Sequence, residues 1–227
     1  MQKRILIGVI LFFAVPLLLA MPGLAQEKNS KQKTFIENLW KSALTYYELS
    51  DELFRQNDFE KADKAEKKAK QLFKKIIELT PDNPEAYFYL GMTCSGRYKE
   101  KIEAFKQAIK LGKDDHVTYY QLGLAYMLDH QYFLAIDAFN RAIKLKHDYI
   151  NAYLSLGATY RNIGRNNDAI KVLKHAIQIK PEDAMLHHQI ALAYLNIGDM
   201  ESAKKSYNIL LNLDRNLAKQ ILDKIVE

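Results

Sequence analysis

A sequence repeat with a period of 34 residues restricts the fold of this chain more than any other feature. Four series of residues recur at this step, three of small residues and one of tyrosines. The series are Ala135, Ala169 and Ala203; Ala108, Ala142 and Ala176; Gly123, Gly157 and Ala191; and Tyr126, Tyr160 and Tyr194. Repetition at a fixed period of about 20–50 residues is typical of proteins built from stacked units.

Each period contains two amphipathic helical segments joined by a short turn. In one unit, apolar residues recur at steps of three and four over Asn151–Ile163 and again over Asn167–Ile179. This spacing is typical of helices that bury one face. Gly164 lies in the turn between them, where a residue with positive φ is favoured. One helix pair of this size cannot bury its own apolar faces, so we expect successive pairs to stack.

The repeated units share a motif of aromatic, aliphatic and small residues. Two successive copies read Tyr119-x-x-Leu122-Gly123-x-x-Tyr126…Ala135-x-x-x-Phe139-x-x-Ala142 and Tyr153-x-x-Leu156-Gly157-x-x-Tyr160…Ala169-x-x-x-Leu173-x-x-Ala176…Pro181. Weaker copies begin at His187 and at Tyr87, and in the latter the turn is two residues shorter and Lys101 replaces a small alanine. This pattern resembles that of the tetratricopeptide repeat family. The resemblance implies an all-α, right-handed solenoid of stacked antiparallel helix pairs with a C-terminal capping helix.

The repeats predict how the chain is divided. We predict a single domain over residues 35–227. Its units are a divergent repeat at 35–81, repeats at 84–113, 116–149, 150–183 and 184–216, and a capping helix at 217–227. In the divergent repeat, the apolar stripe predicts a long second helix from Asp58 to Leu79, preceded by a helix from Phe35 to Phe54. Trp40 lies on that earlier helix, either as a core residue or as an exposed contact.

The first 25 residues have the three parts of a secretory signal peptide. Two basic residues precede an uncharged apolar run from Ile5 to Ala20, and small residues precede the predicted cleavage site after Ala25. We therefore predict an exported protein, periplasmic or secreted, with a polar linker at 26–34. The alternative is a membrane anchor formed by residues 5–20 that is not cleaved.

The family resemblance also implies a binding surface. In this family, the first helices of the pairs line a concave groove that binds peptides or partner segments. The corresponding residues of this chain are Phe88, Tyr89, Met92, Tyr120, Gln121, Leu124, Met127, Asn151, Leu154, Ser155, Arg161, His188, Gln189 and Leu192. Such a groove suits an amphipathic helix or an apolar extended segment. Chaperone adaptors of the family clamp a terminal carboxylate with Lys and Asn. In this chain, Phe88 and Met92 stand where the first Lys and Asn would be, and the clamp is therefore predicted to be absent.

Several of these features also have simpler interpretations. Aromatic residues at helical spacing often belong to a core, and the N-terminal helix could fold into the groove and cover Phe88, Tyr89 and Tyr120. The seven lysines of the segment Lys61–Lys75 are interpreted as a solvated outer face. Cys94, the only cysteine, occupies the place of a core tyrosine and is predicted to be a buried thiol.

The sequence contains none of the common catalytic motifs. A Gly-rich phosphate loop, HExxH, CxxC and G-x-S-x-G are all missing from it. Without Lys3 and Arg4, 31 basic and 27 acidic residues give a net charge of +4, which does not demand a nucleic acid partner. We therefore expect no enzyme activity, cofactor or metal, and we predict a scaffold that binds a protein or peptide. The alternative is a structural protein that forms homo-oligomers through its terminal helices.

Overall fold

All regular secondary structure in the described part of the chain is α-helical. A computed structural model describes residues 22–94 and 96–226, with the side chains from Asn29 onward. These ranges contain eleven helices and no strand. The helices are α1 (Pro22–Arg55), α2 (Phe59–Leu79), α3 (Pro84–Met92), α4 (Tyr98–Lys110), α5 (His116–Leu128), α6 (Tyr132–Leu145), α7 (Ile150–Asn162), α8 (Asn166–Ile179), α9 (Ala184–Asn196), α10 (Met200–Leu213) and α11 (Arg215–Val226). In the described part of the chain, none of the helices is long and apolar enough to span a bilayer.

The chain divides into two compact units, Met1–Leu79 and Thr80–Glu227. The described part of the first unit consists of α1 and α2, and the second unit contains α3 to α11. The predicted signal peptide lies outside the described residues except for its last four, which begin α1. Residues 26–34, predicted as a polar linker, also belong to α1. This helix therefore begins well before Phe35, where the sequence pattern placed its start.

In the first unit, α1 packs against an alanine-rich stripe of α2. The stripe has steps of three and four, and its buried residues are Ala62, Ala65, Ala69, Phe73 and Ile76. The ring of Trp40 meets Phe73 edge to face, with 5.6 Å between the ring centroids. This geometry is favourable for aromatic pairs, so Trp40 is a packing residue of the unit.

The opposite side of α2 carries the lysine-rich face. Several of its lysines pair with an acidic residue one turn away, among them in the pairs Lys61–Asp58, Lys64–Glu60, Lys67–Asp63 and Lys75–Glu78. These side chains are largely exposed to solvent, and such pairs contribute little to stability. They do balance much of the local positive charge, which agrees with a solvated outer face.

The second unit is a stack of four helix pairs followed by a last helix. Each helix from α3 to α11 contacts the next one along the chain, and the first helices α5, α7, α9 and α11 contact each other in that order. The predicted all-α class of stacked helix pairs is confirmed. α11 packs against both α9 and α10, and it begins at Arg215, two residues before the predicted cap.

The alanines of the 34-residue repeat form the innermost rows of this stack. Their side chains have no exposed surface, and the residues are Ala108, Ala135, Ala142, Ala169, Ala176 and Ala203. Alanine at these positions allows the helices to approach closely while larger residues fill the spaces between them. The periodicity in the sequence is therefore the periodicity of a continuous core.

The closest approach within a pair occurs where a glycine of the first helix faces a ring or branched side chain of the second. A Cβ built on Gly123 would lie 2.6 Å from two ring carbons of Phe139, and one on Gly91 would lie 2.7 Å from Phe105. The Gly91 contact forms although Lys101 replaces the small alanine of that repeat. Ile102, its neighbour, is buried there, so the close packing is kept.

The turns inside the pairs repeat a left-handed backbone conformation. Residues with positive φ follow each other at steps of 34 residues, at Gly96, His130, Gly164 and Gly198. This conformation turns the chain sharply so that the second helix runs back along the first. His130 is the exception to glycine in this series, and its Nδ1 lies 2.9 Å from the hydroxyl oxygen of Tyr132.

Replacement of Gly123 by alanine tests whether the helix pairs depend on this contact. We expect Gly123→Ala to destabilise the protein by about 1–3 kcal/mol, because the new methyl group overlaps the fully buried ring of Phe139. In a Phe139→Ala background, the same change should instead increase the free energy of unfolding by up to about 1 kcal/mol, because alanine has a higher helix propensity than glycine. Urea unfolding, monitored by circular dichroism, measures the effect of Gly123→Ala in both backgrounds. A higher midpoint for Gly123→Ala in both backgrounds would contradict the proposed role of the contact.

Candidate functional site

The predicted groove residues lie on the first helices of the pairs, α3, α5, α7 and α9. These residues form one side of the second unit, which we call the first-helix face. α7 contacts both α5 and α9, so its predicted residues are brought close to those of its two neighbours. A hydrogen bond from Arg161 on α7 to the Gln189 side-chain oxygen on α9 joins two of the predicted residues directly.

At α3, the face consists of aromatic and thioether side chains that are only partly buried. Phe88 and Tyr89 meet edge to face at 5.4 Å between ring centroids, and Phe88 also packs near Phe105. Lys113 Nζ lies 4.9 Å from the centroid of the Phe88 ring, a distance at which a cation is attracted to the ring face. These residues both support the core and keep part of their surface open.

At α5, the same arrangement is repeated. Tyr120, Leu124 and Met127 pack against the buried cluster of Phe139 and Leu156 while remaining partly exposed. The Tyr120 ring also meets Tyr149 at 5.1 Å between ring centroids. The simpler interpretation of these aromatic residues as packing residues is therefore correct for one side of each ring, and the other side is available for contact.

Polar side chains lie beside this apolar surface. Asn151 is exposed, Gln121 and Ser155 are partly exposed, and Leu154 packs on the cluster around Tyr153. Amide and hydroxyl groups at such positions can hydrogen-bond the backbone of an extended segment. The first-helix face thus combines apolar anchors with groups that could fix the position of a peptide chain.

At α9, one of the predicted groove residues is more deeply buried than a groove-lining residue needs to be. His188 is only 8% exposed, and its Nδ1 atom is buried without a hydrogen-bond partner. Burial lowers the pKa of His188 below its ordinary value of 6.5, and the charge of Arg161 lowers it further. A hydrogen bond that the ring donates to Gln220 and the charge of Asp214 act in the opposite direction. The imidazole is therefore mainly neutral at pH 7.

Arg161 is the partly exposed cation of this end of the face. Its Nε atom is buried without a partner, and burial lowers the pKa of its guanidinium group. The group nevertheless stays charged at neutral pH, since an arginine cannot be deprotonated under these conditions. Arg161, His188 and Gln189 together form the polar end of a surface that is otherwise apolar.

Two clefts of the second unit contain none of the predicted residues. A cleft of about 420 Å³ lies between α4 and α5, and a second of about 500 Å³ is lined by Tyr153 and residues of α8. Among the described residues, no group of three or more His, Cys, Asp or Glu side chains could hold a metal ion. Cys94 is buried, as predicted, and its Sγ lies 3.1 Å from the carbonyl oxygen of Leu90.

Two contributors to the face were missed by the sequence analysis. Tyr149 precedes α7 and joins Tyr120 and His116 in an aromatic cluster, with 5.0 Å between the Tyr149 and His116 centroids. α11 supplies Gln220 beside His188. Tyr149 lies outside the helical positions that the family pattern assigns, and the position of Gln220 depends on how α11 packs. Only the aromatic character of Tyr149 offered a signal.

Comparison with known proteins agrees with the repeat architecture. Models of the tetratricopeptide repeat match residues 72–102, 159–198 and 186–217. A crystal structure of MamA protein is 30% identical to this chain, with a TM-score of 0.59 over 79% of this chain and 95% of MamA. Comparison with curated protein sequences finds no match.

Two further solved structures share the fold at lower identity. YrrB, described as a TPR protein with an unusual peptide-binding site, is 22% identical and has a TM-score of 0.60 over 85% of this chain and 97% of its own. A thermophilic TPR protein of Thermus thermophilus, TTC0263, is 20% identical and has a TM-score of 0.60 over 82% of this chain and 100% of its own.

The titration of His188 tests the described environment of the polar end. We expect nuclear magnetic resonance of the ring to give a pKa below 6.5, and Arg161→Gln to raise it, because the variant removes a nearby positive charge. A lowered pKa means that the unfolded state binds the proton more readily, so this residue should reduce the stability of the fold as the pH falls below about 6.5.

Arg165→Gln is the matched control, since it removes a charge four residues away that is exposed and paired with Asp168. This control should leave the titration of His188 unchanged. A His188 pKa at or above 6.5, or one that Arg161→Gln does not move, would show that the environment is wrongly described.

Proposed function

The chain belongs to the tetratricopeptide repeat family, and on this premise we propose that it is a non-catalytic scaffold that binds a segment of another protein on the first-helix face. The observation that carries this proposal is the row of partly exposed aromatic and aliphatic side chains on α3 and α5, with polar groups beside them on α7. The peptide-binding site described for YrrB, which shares the fold, supports a peptide or protein partner.

The chemistry of the face favours an amphipathic helix or an apolar extended segment as the bound partner. Phe88, Tyr120 and Leu124 are held by the core on one side, so they lose little conformational freedom when a ligand covers the other side. Rigid aromatic anchors of this kind provide much of the affinity at protein interfaces. The groups that the face offers on α3 to α7 are apolar, amide and hydroxyl groups, which suit contact with a partner. The proposal therefore includes no chemical step.

Affinity capture with groove variants tests this assignment. We expect the double variant Tyr120→Ala/Leu124→Asp to lose the proteins that co-purify with the unaltered chain, because it removes an anchor and places a charge in the apolar surface. Phe133→Ala/Leu134→Asp is the matched control, since both residues are exposed on α6, a second helix. It should retain the same partners.

A second variant separates loss of binding from loss of folding. Tyr120 packs near Phe139, so its replacement also weakens the core. Gln121→Arg/Asn151→Arg changes two side chains that are partly or fully exposed, and we expect it to keep the urea midpoint and reduce partner capture. Retention of every partner by both groove variants would show that the first-helix face is not the binding surface.

Self-assembly as a structural homo-oligomer is the second candidate function, and exposed apolar side chains at the C-terminal end of the stack favour it. Four aliphatic side chains of α10 and α11 are exposed there: Ile209, Leu211, Leu222 and Val226. Light scattering over a dilution series distinguishes this candidate, since the mass of a self-assembling protein must fall on dilution. A constant monomer mass would exclude it in the concentration range measured.

We further propose that the chain is exported, either free in the periplasm or secreted, after cleavage behind Ala25. The support is the charged start, the apolar run and the small residues before that position. Sequencing of the mature N-terminus tests it, and Gln26 is the expected first residue, which would shorten α1 by four residues. A protein that begins at Met1 and sediments with membranes would instead support the uncleaved anchor.

A further inference from the structure

The cleft of about 500 Å³ beside α8, called here the α8 cleft, brings cationic, polar and apolar side chains together. It is lined by Tyr153 of α7 and by residues of α8 that include Lys171, Lys174, His175 and Gln178. Lys171, Lys174 and Gln178 are spaced by three and four residues, so they lie along one face of the helix. The volume is within the range of about 300–1,000 Å³ that is typical of sites for small molecules.

Both lysines of the α8 cleft lack a carboxylate in contact distance. Among the described residues, no carboxylate oxygen lies within 4 Å of the ammonium nitrogen of Lys171 or Lys174. The carboxylate in the lining, Asp168, accepts a hydrogen bond of 2.7 Å from Arg165 instead. The charge of Lys174 acts on Asp199, but the two groups form no ion pair. The α8 cleft therefore holds two positive charges that the protein does not neutralise by contact.

The cleft of about 420 Å³ between α4 and α5, called here the α4 cleft, has its polar groups satisfied by the protein itself. Lys106 Nζ lies 2.8 Å from the carboxylate of Glu103, and both residues belong to the lining. The hydroxyl of Tyr119, also in the lining, donates to Asp114 and accepts from Arg141. Asp114 and Arg141 pair with each other at 3.5 Å. The α4 cleft thus offers an internal comparison for the α8 cleft.

The α8 cleft loses this satisfaction although its tyrosine occupies the equivalent position. Tyr153 and His175 stand 34 residues after Tyr119 and Arg141. The rings of Tyr153 and His175 lie 5.5 Å apart between their centroids. In the part of the chain that the structure covers, however, the Tyr153 hydroxyl has no hydrogen-bond partner. This hydroxyl is therefore available to a ligand in the cleft.

The lysine pair of α8 is not part of the repeat pattern. Asp137 and Asn140 occupy the positions 34 residues before Lys171 and Lys174. In the following repeat, the residue equivalent to Lys171 is Lys205, and it pairs with a glutamate one turn away. The stacking of the helix pairs therefore does not require two unpaired lysines at this place, and binding of an anion would explain them.

We propose that the α8 cleft binds a small phosphorylated molecule. A phosphate monoester carries a charge of about −1.5 to −2 at pH 7 and has three acceptor oxygens. The ammonium groups of Lys171 and Lys174 offset this charge, and the Tyr153 hydroxyl and the Gln178 amide can donate hydrogen bonds to the oxygens. A monoanion would offset only one of the two lysines. The site contains no residue of the first-helix face, so it does not depend on the proposed function.

The apolar part of the lining favours an organic group attached to the phosphate. Tyr153 and Val172 contribute aromatic and aliphatic surface to the cleft, and the volume exceeds that of a phosphate ion. Small-molecule sites generally combine such apolar surface with a few polar groups that fix the orientation of the ligand. Phenyl phosphate, which has both parts, is therefore a suitable probe.

Titration with phenyl phosphate at about pH 7.5 tests the site in the full chain. In nuclear magnetic resonance spectra, we expect saturable shifts of the backbone amide signals of Lys171, Lys174 and His175, and no comparable shifts of Lys106 and Lys110 in the α4 cleft. Sodium chloride at the same ionic strength is the control for screening. Phenyl sulfate, a monoanion of similar shape, should bind about tenfold more weakly, because it offsets only one lysine.

Paired variants of the two clefts separate a specific site from general attraction to lysine. We expect Lys171→Gln/Lys174→Gln to weaken the binding of phenyl phosphate by about tenfold or more. Lys106→Gln/Lys110→Gln is the matched control and should keep the affinity of the unaltered chain. All four side chains are exposed, so both variants should retain the urea midpoint.

The contrary results are specific to this site. Equal shifts at both clefts, or equal weakening by both pairs of variants, would overturn it, because the binding would then reflect surface charge alone. Equal affinities for phenyl phosphate and phenyl sulfate would overturn the assignment to a phosphate. Inorganic phosphate should bind more weakly than phenyl phosphate, and equal affinities would contradict the role of Tyr153 and Val172. None of these results bears on the first-helix face, which the capture experiments test separately.

Discussion

The close contact between a glycine of the first helix and a large side chain of the second helix, made in three successive pairs, supports the rest of this structure. At Gly91, Gly123 and Gly157 the absence of a Cβ lets Phe105, Phe139 and Leu173 lie directly against the backbone. The paired helices can therefore share one core, and the alanine rows let the next pair pack equally closely. Both contacts recur from one repeat to the next, so the same small motif builds the three pairs from α3 to α8.

This packing also determines what the first-helix face can offer. Side chains such as Phe88, Tyr120 and Leu124 pack on the core with one side and keep the other side accessible. They are therefore held in place by the core, and under the proposed function a partner would gain from their apolar surface without ordering it first. The polar end behaves differently, because Arg161 Nε and His188 Nδ1 are buried without a hydrogen-bond partner. The stack thus produces a mainly apolar surface with one buried polar corner.

Sequence reasoning succeeded where the structure depends on periodicity. The spacing of Ala135, Ala169 and Ala203 predicted rows that are fully buried. It failed where the outcome depends on a particular neighbour. The burial of His188 results from α9 lying between α7 and α11. Trp40 is partly buried by its contact with Phe73, a placement that the sequence left open. The early start of α1 was missed because its first residues lack an apolar stripe, the signal by which the other helices were recognised.

Site-specific photo-crosslinking tests the central claim most directly, since it reports which side of the stack a partner touches. A photoreactive amino acid in place of the partly exposed Leu124 places the probe on the first-helix face, and one in place of the exposed Lys171 places it on α8. The account predicts a covalent adduct with a partner segment from position 124 and none from position 171. An adduct from position 171 alone, or equal adducts from both, would contradict it.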